Sequence, residues 1–208
     1  MHHDHGMQSG TVGADRLRFL MSFLRKPAMT GSVVPSSAAL ARATVDGVDL
    51  ANAETVVELG PGTGSFTKLI LERIGKETLF LAMELDEGHT DFLRRKYPRV
   101  ETYHASAERL PEYLARHGRR EADCIISGLP WANMGAGLQD RILRATIGCL
   151  SATGTFVTFS YAHGLFLPTS YRFRAKLRQL FREVRRSGVV WNNFPPAVVY
   201  FCCGKRAG

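Results

Sequence analysis

The chain has 208 residues, 45% of them hydrophobic, and a net charge of +8, which fits one domain with a sizeable core. No apolar run approaches the roughly 18 residues that cross a bilayer, so no membrane span is predicted. The four cysteines have neither CxxC nor zinc-site spacing, and no metal site is predicted. The excess positive charge is confined to residues 15–26 and 171–186, which indicates a polyanionic surface as a partner.

The N-terminal quarter of the chain is predicted to contain a tail, two helices and a polar turn. Residues 1–13 lack an apolar stretch, so we expect a disordered tail and no signal peptide. Residues 14–26 predict an amphipathic helix, with Leu17, Leu20, Met21 and Leu24 at helical spacing and Phe19 and Phe23 beside them. After the turn, Ser36 or Ser37 can cap a second helix that runs through Ala43.

Strand and helix patterns alternate over the rest of the chain, which indicates an α/β domain with a doubly wound sheet. Strands are predicted near residues 54–59, 78–84, 99–103, 122–127 and 154–160, and helices near 64–74, 86–96, 107–117 and 135–150. A helix from Ser170 to Arg185 follows, and then a pair of strands at 187–192 and 197–203. We therefore predict a Rossmann-like, seven-stranded, mostly parallel sheet with an antiparallel C-terminal strand.

Three alternating glycines follow the first strand in the run Glu58-Leu-Gly60-Pro-Gly62-Thr-Gly64. Glycines let the backbone turn tightly and approach a ligand, because no Cβ is in the way. Since a helix with free N–H groups follows, we expect a nucleoside cofactor here, with contacts from Glu58, Gly60, Gly62 and Gly64, a ligand-free turn being the alternative. A dinucleotide fingerprint needs a glycine at Ser65 or Thr67, which argues against NAD. The run instead resembles motif I of class I S-adenosylmethionine (SAM) methyltransferases, which has an acidic residue before three such glycines.

Further cofactor contacts are predicted at the ends of the second and third strands. Glu84 lies 20 residues after Gly64, the spacing of carboxylates that accept ribose hydroxyls in nucleotide-binding sheets. A solvated strand-end charge is the alternative, and Asp86 is a second candidate. By resemblance to class I methyltransferases, Ser106 occupies the place of an acid that holds the adenine amine, and the backbone of Ala107 can share that role.

The fourth strand ends in Ser127-Gly128-Leu129-Pro130-Trp131, which in this superfamily faces the methyl-accepting atom. The resemblance implies cofactor contacts from Ser127 and Leu129. Trp131 can stack on a base or lie against a cation, with a core or lid position as the alternative. Adenine-N6 methyltransferases carry Asn or Asp, and rRNA dimethyltransferases carry Asn, where this chain has Gly128, so the side chain that would hold an exocyclic amine is missing.

Four segments together resemble the soluble bacterial phospholipid N-methyltransferases, over about residues 15 to 203. They are residues 30–37, the glycine run, residues 127–130 and Asn193-Phe-Pro-Pro-Ala197. The resemblance implies methyl transfer from SAM to the amine of phosphatidylethanolamine, in up to three rounds that end in phosphatidylcholine. S-adenosylhomocysteine (SAH) is the implied cofactor product, and a peripheral enzyme with a membrane-docking N-terminal helix is the implied architecture.

On this interpretation residues 14–50 comprise the amphipathic helix and a cofactor lid, and residues 51–208 are the methyltransferase domain. Lid contacts are expected from Thr30, Gly31 and Ser36. The enzyme is expected in the cytoplasm, peripherally bound to the inner face of the cell membrane, with a phospholipid substrate. No obligate protein partner is evident, and nucleic acid is not expected as a partner.

Two basic segments are expected to contact an anionic membrane. Residues 14–26 place aromatic and leucine side chains on one face and arginines on the other, as interfacial helices do. In residues 170–186, Arg174, Arg178 and Arg182 form an i, i+4 ladder beside an apolar face. Each basic residue near anionic lipid contributes about 1 kcal/mol. The alternative is that both helices pack on the sheet and solvate their arginines.

Methyl transfer to an amine needs a free lone pair on nitrogen, which only the neutral, deprotonated amine has. An apolar pocket favours this neutral form over the charged ammonium. Alignment of nitrogen, methyl and sulfur supplies much of the remaining rate enhancement. Tyr161 and His163, just past the fifth strand, are candidate bases, and both can instead be ordinary loop residues. Tyr161, Tyr171 and Trp131 can hold the cationic product through cation–π contacts.

Three other functions stay open from the sequence. An rRNA adenine methyltransferase fits a basic domain, although Gly128 and the absence of an appended RNA-binding domain argue against it. A small-molecule N- or O-methyltransferase would not need an arginine-rich amphipathic helix, and a binding module without catalysis would not need the intact glycine run. The sequence also leaves open the lipid head group, ornithine lipids or monomethylated lipids included, and the number of methyl groups added.

Overall fold

The computed structural model of the protein describes residues 36–206. The predicted tail over residues 1–13, the predicted helix over 14–26, and the lid residues Thr30 and Gly31 lie outside the described residues. Of the expected lid contacts, Ser36 is described, and it is half-buried.

Seven strands form one sheet: β1 (Thr55–Leu59), β2 (Leu79–Glu84), β3 (Glu101–His104), β4 (Ala122–Ser127), β5 (Leu150–Tyr161), β6 (Phe181–Arg186) and β7 (Ala197–Lys205). They lie in the order β3-β2-β1-β4-β5-β7-β6; the pairs among β1 to β5 are parallel, and β7 runs antiparallel to both of its neighbours, β5 and β6. The described helices are α1 (Ala38–Val45), α2 (Ser65–Leu71), α3 (Glu87–Lys96), α4 (Leu110–Arg116), α5 (Ala136–Gly148) and α6 (Pro168–Leu180). The predicted Rossmann-like, mostly parallel sheet with an antiparallel C-terminal strand is confirmed.

The centre of the sheet is buried on both faces, which explains the continuous apolar runs of its strands. Every residue of β1 is buried, and the Asp123 carboxylate accepts hydrogen bonds from the N–H groups of Glu54 and Thr55 where β1 begins. Helix α1 packs into the same core. Its N-cap is Ser37, whose Oγ accepts from the N–H of Leu40 at 3.1 Å, as one of the two predicted caps requires.

The predicted helix over residues 170–185 is wrong in its C-terminal part. Helix α6 ends at Leu180, and residues 181–186 form β6. Apolar residues at Phe181 and Val184 fit a helical period, but pairing with β7 makes this segment an edge strand. The arginine ladder is therefore broken, because Arg182 is on β6 and not on the helix.

The predicted strand over residues 187–192 is also wrong. The antiparallel pair exists, but its first member is β6, and Val190 makes an isolated bridge to Ala197. Ser187 interrupts the ladder because its Oγ accepts the N–H of Val199 at 2.9 Å. Within residues 36–206, no helix is long and apolar enough to span a bilayer.

Candidate active site

The loop between β1 and α2 turns over the carboxyl edge of the sheet, where the parallel strands end. Gly60, Gly62 and Gly64 have φ of +70°, +56° and +82°, a conformation that favours glycine. A Cβ at Gly60 would lie 2.7 Å from Cδ2 of Leu129, and one at Gly64 would lie 2.8 Å from Cε2 of Tyr97. A Cβ at Gly62 would meet no atom within 4 Å. The outer glycines therefore serve packing, and the middle one borders the open space that a ligand needs.

Glu84 fixes this loop to the end of β2. Its Oε2 accepts the N–H of Gly62 at 2.9 Å, and its Oε1 accepts the N–H groups of Leu85 and Asp86 at 2.7 and 2.9 Å. A carboxylate offers about four acceptor sites, so these amides leave room for a ribose hydroxyl. Ribose binding by Glu84 stays a prediction, and the structure adds the role of holding the glycine loop in place. Asp86, the second candidate, caps α3 by accepting the N–H of His89.

Glu58, an expected cofactor contact, is fully buried at the end of β1, and its contact with a cofactor stays a prediction. Its Oε2 accepts the hydroxyl of Thr67 at 2.7 Å, while Oε1 has no hydrogen-bond partner among residues 36–206. Burial raises the pKa of Glu58 to about 8, the Thr67 hydroxyl opposes that rise, and the negative charge of Glu84 adds to it. A proton on Glu58 therefore removes the cost of an unpaired buried charge.

The third strand ends beside Glu84, since the N–H of Ala105 donates to the carbonyl oxygen of Glu84 at 2.9 Å. Ser106 is half-buried, and its Oγ accepts the N–H of Glu108 at 3.3 Å. It thereby caps a short 3₁₀ turn that begins at the buried Ala107. Both predicted adenine contacts thus lie at the carboxyl edge next to the predicted ribose carboxylate.

The loop after β4 packs directly on the glycine loop. A Cβ at Gly128 would lie 2.6 Å from the carbonyl oxygen of Gly60, so an Asn at this position would require the backbone to move. The Oγ of the buried Ser127 accepts the N–H of Leu129 at 3.4 Å and Nε1 of Trp131 at 3.1 Å. The close approach of the two loops therefore gives a steric reason why this chain has Gly128 and not Asn.

Trp131 is a core residue, which corrects the prediction that it contacts the substrate. It is 2% exposed, and its ring stacks on Phe173 at 5.2 Å between centroids and meets the edge of Phe156. Its ring N–H is bonded to Ser127. Its faces and its donor are thus engaged by the protein, and the alternative that the sequence left open is correct.

A row of four aromatic rings leads outward from the helix that follows the glycine loop. Phe66 meets Phe159 at 5.9 Å, Phe159 meets Tyr161 at 5.6 Å, and Tyr161 stacks on His163 at 5.8 Å. Phe66 and Phe159 were not predicted as site residues. The i, i+2 spacing of Phe159 and Tyr161 is the signal that places them on one face of β5.

The two predicted bases are neighbours in this row. Burial raises the pKa of the Tyr161 phenol, which makes its basic phenolate form scarcer at neutral pH. His163 is exposed and presents its ring to Tyr161. The arrangement therefore favours an apolar and π-face role for Tyr161. A role of His163 as base stays a prediction.

Asn193 is a buried polar residue that the site predictions omitted. Its Oδ1 accepts the N–H of Ser37 at 2.9 Å, and its Nδ2 donates to the carbonyl oxygen of Pro195 at 2.7 Å. The carbonyl oxygen of Pro196 accepts the N–H of Ala162 at 2.6 Å. The segment before β7 is thereby attached both to the start of α1 and to the loop that follows the aromatic row.

A known relative matches the chain over almost its whole length. It is the ornithine lipid N-methyltransferase of Singulisphaera acidiphila, 30% identical over 195 residues that cover 92% of this chain and 97% of the relative. The ribosomal RNA small subunit methyltransferase A of Fusobacterium nucleatum is 28% identical over 78 residues, which cover 38% of this chain and 28% of that relative. The chain matches no model of a protein family.

Solved structures show the same fold. The O-methyltransferase from Bacillus cereus in complex with SAH aligns with a TM-score of 0.59 and 12% identity, over 90% of each chain. At this identity the likeness supports the architecture, in which the glycine loop and the ends of β2, β3 and β4 meet at one edge of the sheet.

Proposed function

We propose a lipid N-methyltransferase function from one premise: this chain belongs to the family of the ornithine lipid N-methyltransferase of Singulisphaera acidiphila. The protein is a SAM-dependent methyltransferase with the class I fold. The observation that carries the proposal is the 30% identity over 92% of the chain and 97% of the relative. A match of this extent includes the segments on both sides of the site, whereas the match to the rRNA enzyme covers 38% of the chain.

The proposed reaction transfers a methyl group from SAM to the head-group amine of a membrane lipid. Ornithine lipid is the first candidate because the full-length relative is named for it. Phosphatidylethanolamine, implied by the resemblance of four sequence segments, is the second. Both present an amine at the surface of a bilayer, so we propose that the enzyme acts peripherally at the inner face of the cell membrane.

The described residues fit a nucleoside cofactor. Open space borders Gly62, and the carboxylate of Glu84 keeps an acceptor site for a hydroxyl. Ser106 and Ala107 lie at the next strand end, where the base would reach. Bound SAM supplies an electrophilic methyl group on a sulfonium. We expect Glu84→Ala and Gly62→Val to lose SAM affinity in a calorimetric titration, because one removes the loop anchor and the other fills the open space.

The aromatic row provides the amine with an apolar surface at the end of β5. Desolvation beside Phe159 and Tyr161 lowers the pKa of an amine and so favours its nucleophilic form. The π face of Tyr161 can then stabilise the cationic product. Tyr161→Phe should therefore keep most of the activity, and Tyr161→Leu should lose it. Equal loss of activity in Tyr161→Phe and Tyr161→Leu would instead show that the reaction needs the hydroxyl.

The decisive assay supplies the purified full chain with methyl-labelled SAM and three acceptors. They are mixed detergent micelles that contain ornithine lipid, micelles that contain phosphatidylethanolamine, and deproteinised small-subunit rRNA. We expect label in the lipid extract, with the Gly62→Val variant as the inactive control. Label in rRNA, or in neither lipid, would overturn the proposal.

A further inference from the structure

Five large apolar side chains are exposed on two neighbouring segments at the carboxyl edge of the sheet. We call this surface the aromatic rim, and it consists of Phe166, Leu167, Tyr171, Trp191 and Phe194. Phe166 is 93% exposed, Trp191 is 74% exposed and Phe194 is 76% exposed. Exposed apolar patches mark binding sites for another molecule or for a membrane.

The rim has a fixed backbone frame. The two segments flank the paired strands β5 and β7, whose last register pair joins Tyr161 to Ala197. The N–H of Ala162 donates to the carbonyl oxygen of Pro196 across the two segments. Asn193, buried between the exposed Trp191 and Phe194, bonds to Ser37 and so anchors the second segment. The two segments that carry the exposed rings are therefore held together through their backbones.

The stretch of chain that carries the rim is basic. Residues 162–196 contain seven arginines and lysines and one acidic residue, which gives a net charge of +6. Helix α6 starts at the rim and β6 ends at the same edge, so the exposed Arg172, near the start of α6, and the exposed Arg186, the last residue of β6, lie on the rim's side of the sheet. Aromatic rings with flanking arginines suit an interface between an apolar phase and an anionic head-group layer.

The rim also continues the aromatic row. Tyr161 and His163 stack at the row's outer end, and Phe166 follows them in the same loop. A surface that holds a bilayer here would bring head groups to the row without extraction of the lipid.

We propose that the aromatic rim inserts into an anionic lipid bilayer, at a docking surface separate from residues 14–26. The proposal rests on the lipid N-methyltransferase function and deepens it, because it assigns the face that meets the substrate's membrane. Charge complementarity selects the occupant: a +6 segment with exposed indole and phenyl rings matches an anionic bilayer.

The chain's two tryptophans permit a direct test, because Trp131 is buried and Trp191 is on the rim. Intrinsic fluorescence of the full chain is recorded with vesicles of phosphatidylglycerol and phosphatidylcholine, and with phosphatidylcholine vesicles alone. We expect a blue shift with the anionic vesicles, quenching by lipids brominated on their acyl chains, and neither effect in Trp191→Phe. Binding to vesicles without these Trp191 signals would overturn the proposal and leave docking to residues 14–26.

Two other occupants give different results in the same experiment. Trp191 emission that is already blue-shifted without vesicles would mean that the chain itself covers the rim. A shift that follows protein concentration would mean that a second copy covers it. Either result overturns the proposal.

A variant pair measures the contribution of the rim to binding. The triple variant Phe166→Ser/Trp191→Ser/Phe194→Ser should bind anionic vesicles at least tenfold more weakly in sedimentation. The control Phe92→Ser removes an exposed ring on α3 and should bind like the unmodified chain. Unchanged vesicle binding by the triple variant would refute the proposal that the aromatic rim inserts into the bilayer.

Methylation of lipid in mixed detergent micelles separates the two proposals. The triple variant should keep this activity, because its altered side chains lie outside the cofactor site and the aromatic row. If the unmodified chain fails to methylate lipid in micelles, the proposed function fails. If the unmodified chain methylates lipid in micelles while the rim variants bind vesicles normally, only the proposal of docking through the aromatic rim fails.

Discussion

Alanine substitutions at two glycines with the same backbone conformation can distinguish the loss of a cofactor contact from the effect of backbone strain. Gly62 has φ of +56° and Gly118 has φ of +68°, and a Cβ at either would meet no atom within 4 Å. Gly118 follows α4 near the opposite edge of the sheet, where β4 begins. An alanine at each position therefore introduces similar strain, but only Gly62→Ala adds a methyl group at the proposed cofactor site.

The magnitudes follow from that conformation. A left-handed backbone costs a non-glycine residue roughly 1–2 kcal/mol, which lowers the Tm of a chain of this size by about 2–8 °C. We expect this loss in both variants by differential scanning calorimetry without cofactor. Gly62→Ala should in addition bind SAM at least tenfold more weakly, a change of about 1.4 kcal/mol, whereas Gly118→Ala should bind it normally.

Isothermal titration of both variants with SAM decides the case. If Gly62→Ala is destabilised like Gly118→Ala but binds SAM with unchanged affinity, the open space beside Gly62 is not the cofactor site. A loss of affinity in both variants would show that strain anywhere in the domain weakens binding, and the inference from the open space would then have no support.

Further expectations follow from individual contacts. Between pH 4.5 and about 8 the folded state keeps a proton on Glu58 that the unfolded chain releases. The free energy of unfolding should therefore decrease as the pH rises through this range, by at most about 5 kcal/mol. In chemical denaturation at several pH values, Glu58→Gln should not show this decrease. In urea denaturation, Trp131→Phe should unfold with a free energy about 1–3 kcal/mol lower, because the variant loses the hydrogen bond to Ser127 and some core volume. Its KM for lipid should be unchanged. Gly128→Asn should lower both Tm and SAM affinity, and Gly135→Asn, where a Cβ has open space, should lower neither.

The elements that the sequence determined are those whose signals are local. Glycines at Gly60, Gly62 and Gly64 require a tight turn wherever the chain goes, since only their backbones adopt positive φ without strain. Strands such as β1, buried on both faces, need unbroken apolar runs, and those runs are visible in the residues themselves. The fold class and the glycine loop could therefore be predicted without coordinates.

The remaining features depend on residues that are distant in sequence. Residues 181–186 fit two periodicities, and pairing with β7 made them a strand. Trp131 became a core residue because Phe173, on α6, covers its ring. Asn193 and Ser37, 156 positions apart, meet through one hydrogen bond. The sequence by itself determined where the backbone must bend and which runs must be buried. Only the tertiary structure decided which side chains meet at the carboxyl edge and which rings stay exposed, because burial and pairing need a partner.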